Sequence, residues 1–213
     1  MSQQRRRGPR GDVTRARILE AADQVLRSKG IAGLSLRAVA QEAGVAPNAI
    51  YTYVPTMAEL RNALGDGFLT RLDLGLLQGD DPRTALGEFL RHVLRTFGDS
   101  PRHVELLAGQ PVIGPGSLAL HEALLTFFAD SLGWETSRSA RATLFLTEWV
   151  HGHLLLAASD PAGPDSAEAG RTPLTDDELS AYPRSAVALS TPLTDSPIDL
   201  PLRAIFGAGP PSD

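Results

Sequence analysis

Few residues in this sequence are spaced so that they could carry out chemistry, and the clearest candidate pair is His151 and His153. Two imidazoles could share a metal ion, but the segment around them has the apolar spacing of an α-helix. Residues i and i+2 of a helix point to different faces, so this pair does not predict a metal site. The chain also lacks a Gly-x-Ser-x-Gly elbow, a phosphate-binding loop and a His-Glu-x-x-His motif. We therefore expect neither an enzyme nor a cofactor.

Charge is distributed unevenly along the chain, whose net charge is −5. Residues 1–61 hold ten Lys or Arg against five Asp or Glu, whereas the rest of the chain holds ten against twenty. A basic N-terminal quarter in an acidic protein indicates that one end contacts phosphates. Chance asymmetry combined with a disordered arm is the alternative explanation.

The composition excludes several classes of protein. Hydrophobic residues make up 42% and charged residues 21%, a balance typical of a globular protein with a core. No stretch approaches the roughly 18 consecutive apolar residues of a membrane span, and no apolar segment follows the Arg-rich N-terminus as in a secretory signal. Cysteine is absent, which excludes disulfides and fits a reducing compartment. We expect a cytoplasmic protein with no membrane partner.

The elements that must position any functional side chain are helices. Apolar residues recur at spacings of three and four, and no strand-like alternation of useful length occurs, so we expect an all-α fold. It consists of a three-helix head and a larger helical body. Residues 1–12 are basic and interrupted by Gly and Pro, which predicts a flexible arm, and 160–175 predict an exposed loop. Helices are predicted over 14–29, 36–43, 47–53, 57–72, 83–97, 103–109, 117–132, 137–159, 176–189 with an interruption at Pro183, and 197–206.

Two short predicted helices on either side of Gly44 and Val45 form the most informative segment. Ser35 caps the first of them. Pro47 suits the first turn of the second, because its missing N–H would be unpaired there. Small residues lie where the two helices must approach. This is the pattern of a helix-turn-helix, whose second helix enters a DNA major groove; an ordinary helix pair is the alternative.

Further landmarks accompany that segment in a fixed order. They are the Ile-Leu-x-Ala-Ala core of the first helix, the Gly-x-x-Gly-Leu-Ser link, Val-Ala-x-x-Ala-Gly-Val, Ile-Tyr-x-Tyr-Val, and the Glu-Leu that opens the fourth helix. With these motifs, residues 14–69 resemble the N-terminal domain of the tetracycline-repressor (TetR) family. The resemblance implies a flexible arm over 1–13, a DNA-binding domain over 14–56, and a ligand-binding and dimerisation domain over 57–208.

The resemblance also implies a function. Members are transcriptional repressors, and a small hydrophobic or aromatic ligand would release this one from double-stranded operator DNA. An activator, or a regulator without a ligand, could share the same head.

The resemblance places DNA contacts at the start of the second helix and along the third. Arg37 would reach a guanine edge or a phosphate, and the Asn48 amide would pair with adenine at two points. Phenol and hydroxyl groups would hold phosphates. Alternatively, Tyr51 is a core ring packed on the first helix. The implied DNA-binding residues are Ser35, Arg37, Pro47, Asn48, Ala49, Tyr51, Thr52 and Tyr53.

One position departs from the family pattern. Members usually open the fourth helix with a lysine that holds a phosphate together with the helix N-terminus, whereas this chain has Met57. Arginines of the arm could compensate by following the DNA backbone or entering a minor groove; a solubilising tail is the alternative. Those residues are Arg5, Arg6, Arg7 and Arg10.

The second half of the chain is similar to the family branch with a tetracycline-repressor-like C-terminal domain. The similar features are Leu-Ala-Gly-Gln-Pro over 107–111, the apolar helix over 117–132, and Glu-Leu-x-x-Tyr-Pro over 178–183. The branch implies a homodimer, held by a four-helix bundle from the regions 139–158 and 176–206. The last helix is short here, which puts the packing of that bundle in doubt.

The body also has side chains suited to a small organic ligand, because aromatic and apolar walls alternate with a few polar groups. Gln110 is the preferred polar candidate, since the family places ligand contacts around that turn. The position of the magnesium-binding histidine of tetracycline-specific members is Leu106, which cannot coordinate Mg²⁺. We therefore expect a different aromatic metabolite and no metal. Core packing or ordinary histidines would explain the same residues: Phe89, His92, His103, Gln110, His121, Leu125, Phe128, Trp149 and His153.

Overall fold

The computed structural model describes residues 13–157, 175, 180–190 and 196–207, and within these ranges the protein is helical, without strands. The predicted arm over 1–12 and the predicted loop up to residue 174 lie outside the described residues. A 3₁₀-helix spans Leu74–Gln78, and a wider π-helical turn spans Phe127–Ser131. The α-helices are α1 Arg15–Gly33, α2 Leu36–Ala43, α3 Pro47–Ile50, α4 Met57–Leu69, α5 Pro82–Gly98, α6 Pro101–Ala108, α7 Pro115–Thr126, α8 Thr136–Ala157, α9 Pro183–Ser190 and α10 Asp199–Phe206.

Helix α1 begins where the sequence predicts and carries the first apolar face. The Thr14 hydroxyl oxygen accepts a hydrogen bond from the backbone N–H of Arg17, which satisfies one of the free donors at the helix start. Gly30, the predicted stop, has a φ of 68° inside the helix. Only glycine adopts this conformation freely, so the regular part of α1 ends there and a last turn follows.

Helices α2 and α3 form the predicted helix-turn-helix. Ser35 caps α2 by accepting a hydrogen bond from the N–H of Ala38, and Gly44 ends it in the left-handed conformation at a φ of 68°. Helix α3 then starts at Pro47. Together with α1, the two helices enclose an apolar core, called the head core here. It consists of Ile18, Ala21, Ala22, Val25, Leu26, Leu34, Val39, Ala40, Ile50, Val54, Leu60, Leu64 and Leu106.

A second, larger core lies in the body and is built around α5. Phe68 at the end of α4 belongs to it, together with apolar residues of α6, α7, α8 and α10. Helix α6 contributes to both cores, because Leu106 lies in the head core while Val104 and Leu107 lie in the body core. The head and the body are therefore joined by packed side chains of α4 and α6 as well as by the chain itself.

Several predicted boundaries are corrected by the structure. Helix α3 ends at Ile50 and continues as turns, α4 ends at Leu69, and the 3₁₀-helix after it was not predicted. The predicted interruption at Pro183 is confirmed, because Ser180 is helical, Ala181 and Tyr182 are not, and Pro183 opens α9, where its fixed φ and missing N–H fit the first turn. None of the described helices is both long enough and apolar enough to cross a membrane.

Candidate DNA-contacting surface and ligand pocket

The start of α2 and the segment from α3 to Thr52 present polar side chains to solvent. Arg37, Pro47, Asn48 and Thr52 are exposed, and so is Ser35, while Ala49 is half-buried. The Ser35 oxygen already accepts the capping bond from Ala38, so its hydroxyl hydrogen can still be donated. Because α2 and α3 pack against each other, these side chains are carried by one rigid unit.

The two tyrosines after α3 have different surroundings. Tyr51 is 55% exposed, so the alternative that its ring packs in the core is wrong. Tyr53 is half-buried and packs against the head core. The backbone N–H groups of Tyr53 and Val54 both donate to the carbonyl of Ile50 at 2.9 Å. These bonds hold the turn that carries the exposed Tyr51 ring.

Met57 stands at the first position of α4 and is half-buried against the head core. Thr56 caps this helix, since its hydroxyl oxygen accepts from the backbone N–H of Glu59 at 3.1 Å. Met57 thus adds packing where a lysine would add charge. The exposed Glu59 carboxylate stabilises the helix start but would repel a phosphate.

The body contains an apolar pocket between α4, α5, α7 and α8. Its empty space, which includes the open mouth and the adjoining solvent, is about 440 Å³. Two of the lining residues, Thr147 and His151, carry polar side chains. The full lining is Leu69, Leu72, Phe89, Leu90, Val93, Phe97, Leu120, Leu124, Leu146, Thr147, Val150 and His151.

A second, more open cleft lies at the turn after α6. It is lined by residues 107–111 together with His151 and Leu155, and its empty space, with the adjoining solvent included, is about 680 Å³. His151 borders both this cleft and the apolar pocket. The half-buried Gln110 belongs to the second cleft.

Of the nine predicted ligand residues, Phe89 lines the apolar pocket and Gln110 the second cleft. The others line neither of the two. His92 accepts a hydrogen bond at Nε2 from the backbone N–H of Asp73 at 3.0 Å. His121 is exposed and Leu125 is half-buried.

Two predicted aromatic residues and two predicted histidines are engaged in ring contacts outside both clefts. Phe128 is fully buried and stacks on Trp134, with ring centroids 5.2 Å apart. Trp149 and His153 stack on each other at the same centroid distance. A further predicted residue, His103, stacks on Phe68 at 4.3 Å.

Residues that the sequence analysis missed make up most of the pocket wall. The sequence indicates His151 only as a possible metal ligand, and it gives no prediction for Thr147. The sequence feature that indicates both residues is the four-residue spacing of Thr143, Thr147 and His151 on α8, because this spacing puts polar side chains on one helix face. That stripe runs beside the buried apolar residues Leu146 and Val150.

His103 connects the body to the head. Its Nε2 lies 2.6 Å from Oδ1 of Asp23 in α1, and Asp23 also pairs with Arg27 at 2.8 Å and with Arg71 at 3.4 Å. Burial lowers the pKa of His103 and outweighs the opposite effect of the Asp23 bond. Burial also raises the pKa of Asp23, but its hydrogen bond to His103 and the three nearby positive or ionisable groups leave that pKa below its usual value.

Two polar side chains of α4 bind the chain around the start of α7: Asn62 binds the turn before α7, and Asp66 binds its first turn. The Asn62 amide donates to the carbonyl of Ile113 at 2.8 Å and accepts from its N–H at 2.9 Å. The Asp66 carboxylate accepts from the N–H groups of Gly116 and Ser117 at 3.1 and 2.8 Å. A Cβ at Gly116 would collide with the backbone of Asp66, so glycine permits this close approach.

Metal ligands are not grouped in the described part of the chain, where no set of three or more His, Asp or Glu side chains could hold an ion.

Comparison with known proteins places these features in context. Residues 18–64 match the model of the bacterial regulatory proteins of the tetR family. Over 174 residues, or 81% of this chain, the sequence is 31% identical to the HTH-type transcriptional repressor DrrR1 of Streptomyces coeruleorubidus. The match covers 62% of that protein, so the chain spans less than two thirds of the length of this relative.

The fold is also similar to solved structures. ActR of Streptomyces coelicolor in complex with actinorhodin superposes with a TM-score of 0.72 at 21% identity, over 92% of this chain and 96% of ActR. BioQ, solved with its double-stranded DNA operator, superposes with a TM-score of 0.57 at 22% identity, over 70% of this chain and 89% of BioQ.

The described helices define an all-α protein with an N-terminal helix-turn-helix head and a helical body. The family match shows that the head over residues 18–64 belongs to the tetR family of bacterial regulatory proteins; the relative agrees with this assignment, and the solved structures share the fold.

Proposed function

We propose that this protein is a transcriptional repressor that binds operator DNA as a homodimer in the cytoplasm and releases it when a small aromatic or apolar molecule fills the body pocket. The observation that carries the proposal is the combination of an exposed α3 with an apolar pocket, joined by two helices that pack on both cores. The descriptions of DrrR1 as a repressor, of ActR bound to actinorhodin and of BioQ bound to its operator support it.

In this proposal the DNA contacts come from the exposed residues of the head. Asn48 at the start of α3 reads a base edge, and Arg37 and the exposed Tyr51 hydroxyl hold the backbone. Because the half-buried Met57 supplies no charge at the start of α4, these contacts supply fewer positive charges than a lysine-bearing head would. The weaker phosphate contact makes binding depend more on base contacts.

The proposed dimer interface consists of the large apolar side chains that are exposed on α8 and α9. Leu144, Leu155 and Leu156 of α8 and Val187 of α9 are large apolar residues with 57%, 41%, 75% and 65% of their surface exposed. Large apolar groups clustered on exposed helices mark a surface that another protein covers. A second copy of this chain would cover it with the same residues.

The proposed link between ligand and DNA runs through α4. The turn before α7 adjoins the second cleft, and Asn62 and Asp66 fasten α4 to that turn and to the start of α7. A ligand that shifts the turn would shift α4 and so change the distance between the two recognition helices of the dimer. Operator half-sites are spaced by about 34–36 Å, so the changed distance weakens DNA binding.

The ligand is an aromatic or apolar molecule other than a metal-bound tetracycline. Leu106, at the position of the magnesium-binding histidine of tetracycline-specific members, is buried in the head core and lines neither cleft. A leucine also offers no oxygen or nitrogen to a metal ion. The apolar pocket wall suits a flat hydrophobic body.

The test is the binding of purified protein to labelled DNA from upstream of its own gene, measured by fluorescence anisotropy across a salt series. Tight binding that prefers this DNA over a scrambled duplex, with a steep salt dependence, is the expected result. Aromatic compounds are then screened for release of the complex. Equal binding to both duplexes contradicts the operator assignment, and binding that no pocket-filling compound weakens contradicts the ligand-controlled release.

A further inference from the structure

The polar side chains of the apolar pocket lie on one stripe of α8. Thr143, Thr147 and His151 follow each other at four-residue spacing, which places them on the same face of the helix. Thr147 and His151 line the pocket. The chemistry that the pocket offers a ligand is therefore set by the free hydrogen-bonding groups of these two side chains.

The hydrogen bond made by His151 fixes which of its nitrogens carries the proton. Nδ1 lies 2.7 Å from the backbone carbonyl oxygen of Thr147. A carbonyl oxygen only accepts, so Nδ1 must hold a hydrogen and donate it. In the neutral ring the other nitrogen, Nε2, then has a lone pair and acts as an acceptor. None of the described residues pairs with it.

Thr147 offers the same kind of group. Its hydroxyl donates to the backbone carbonyl of Thr143 at 2.9 Å, so its single hydrogen is already used. The oxygen can still accept a bond from a ligand. Both polar groups in the pocket wall are therefore acceptors, and neither can donate to a ligand carbonyl or ether while these bonds persist.

From this arrangement we infer that the pocket selects aromatic ligands that carry a hydroxyl donor, as phenols do, over ligands whose oxygens can only accept, with Nε2 of His151 accepting the hydrogen bond from the ligand's hydroxyl. This inference rests on the proposed ligand-binding function of the pocket and specifies its ligand class. His151 borders both the apolar pocket and the second cleft. The hydroxyl binds at that border, and the ring system lies against the apolar wall to which Phe89 and Phe97 belong.

The inference is tested with two probes that differ in one group, 2-naphthol and 2-methoxynaphthalene. Their dissociation constants for the full-length protein are measured by intrinsic probe fluorescence, in the absence of DNA, at pH 8. The variant His151→Phe keeps an aromatic ring but has no acceptor. His121→Phe is the matched control, because His121 is exposed on α7 and lines neither cleft.

The measured quantity is the ratio of the two dissociation constants. Comparing this ratio between variants cancels any change in pocket hydrophobicity that affects both probes equally. In the wild type and in His121→Phe the ratio favours 2-naphthol, and His151→Phe reduces that preference about fivefold, as expected for one neutral hydrogen bond. Thr147→Val removes the second acceptor with little change in shape and reduces it less. If His151→Phe does not fold, the inference is tested by the ratio in the wild type and by its change in Thr147→Val.

Three results would overturn the inference: no preference for 2-naphthol in the wild type, an equal ratio in all foldable variants, or no binding of either probe. The proposed repressor function is tested separately by operator binding. A protein that prefers 2-naphthol through His151 but ignores operator DNA keeps the inferred ligand class and loses the repressor role. A protein that binds its operator but shows an unchanged ratio loses only the ligand class.

Discussion

Nε2 of His103 lies 2.6 Å from Oδ1 of Asp23, and this contact joins α6 of the body to α1 of the head across 80 positions of sequence. The imidazole is 1% exposed and stacks on the ring of Phe68. In the neutral ring, Nε2–H donates to the carboxylate, which Arg27 and Arg71 also contact. This polar pair fixes the orientation of the head relative to the body, because separating the two would leave a buried donor without its acceptor, which costs free energy.

This pair predicts a loss of stability in mild acid. The pKa of His103 is lowered from 6.5 by burial, so between pH 7 and the folded pKa the unfolded chain binds a proton that the folded protein does not. The unfolding free energy therefore falls as the pH drops through this range. The lowered pKa of Asp23 adds a further fall below about pH 4, since the ordinary pKa of this carboxyl is near 3.9.

Urea denaturation of the wild type and of His103→Phe at pH 7 and pH 5 measures this effect. The phenyl ring preserves the stacking on Phe68, and Asp23 keeps its two arginines. We expect the variant to lose less unfolding free energy than the wild type between the two pH values. His121→Phe, which alters an exposed histidine, should follow the wild type. Parallel losses in all three proteins would show that His103 does not cause the acid sensitivity.

Replacing Asn48 tests the assignment of α3 as the recognition helix. Asn48→Ala removes an exposed amide without disturbing the core, so the fold and the dimer should persist. We expect operator binding to weaken by about 1–3 kcal/mol and non-specific binding to stay the same, because the amide reads a base and carries no charge. Anisotropy titrations with the operator and with a scrambled duplex measure both quantities. An equal loss on the two duplexes would assign Asn48 to the DNA backbone.

Asp66 is the position at which the proposed link between ligand and DNA can be weakened selectively. Its two oxygens accept from the N–H groups of Gly116 and Ser117, and an asparagine can replace only one of these acceptors. In Asp66→Asn we expect DNA affinity and ligand affinity, measured separately, to stay close to those of the wild type. The loss of DNA affinity caused by the ligand should shrink by about threefold or more.

The readout for Asp66→Asn is operator affinity with and without an aromatic effector obtained by screening for DNA release. Asp80→Asn serves as the control, because it makes the same chemical change at an exposed carboxylate. An effector that releases Asp66→Asn as fully as Asp80→Asn would show that the contact between α4 and the start of α7 does not transmit the response.

The exposed apolar face of α8 predicts the oligomeric state. Leu156 is 75% exposed in the single chain, and a dimer would bury it. Leu156→Glu should raise the dimer dissociation constant by roughly tenfold or more, because it places an unpaired charge in the interface. Leu118→Glu is the control, since Leu118 is 61% exposed on α7. Sedimentation velocity at several concentrations measures both, and equal behaviour would place the interface elsewhere.

The helix-turn-helix could be predicted from the sequence because its determinants are local. Ser35 and Gly44 begin and end α2 through contacts within four residues, and each needs a particular residue type. The all-α class followed from apolar spacing in the same way. Details that depend on neighbouring elements were missed, such as the 3₁₀-helix Leu74–Gln78, which packs against α5.

The ligand pocket could be predicted only in part, because its wall combines residues that are distant in sequence. Apolar spacing shows which helix face is buried, but not where two buried faces leave a gap between them. Phe89 was therefore found, while Leu146 and Val150 on α8 were not. His103 was assigned to the ligand for the same reason, since nothing near it in sequence indicates its bond to Asp23.

Helix α6 belongs to both cores, and neighbouring residues divide between them, with Leu106 on the head and Leu107 on the body. The structural unit proposed to recognise DNA is therefore not a continuous piece of chain. A chimaera built by exchanging residues 1–56 between relatives would separate Asp23 and the head core from their partners on α6. To transfer DNA specificity with stability intact, the exchanged set must include His103 and Leu106, although both lie about fifty positions beyond the point of fusion.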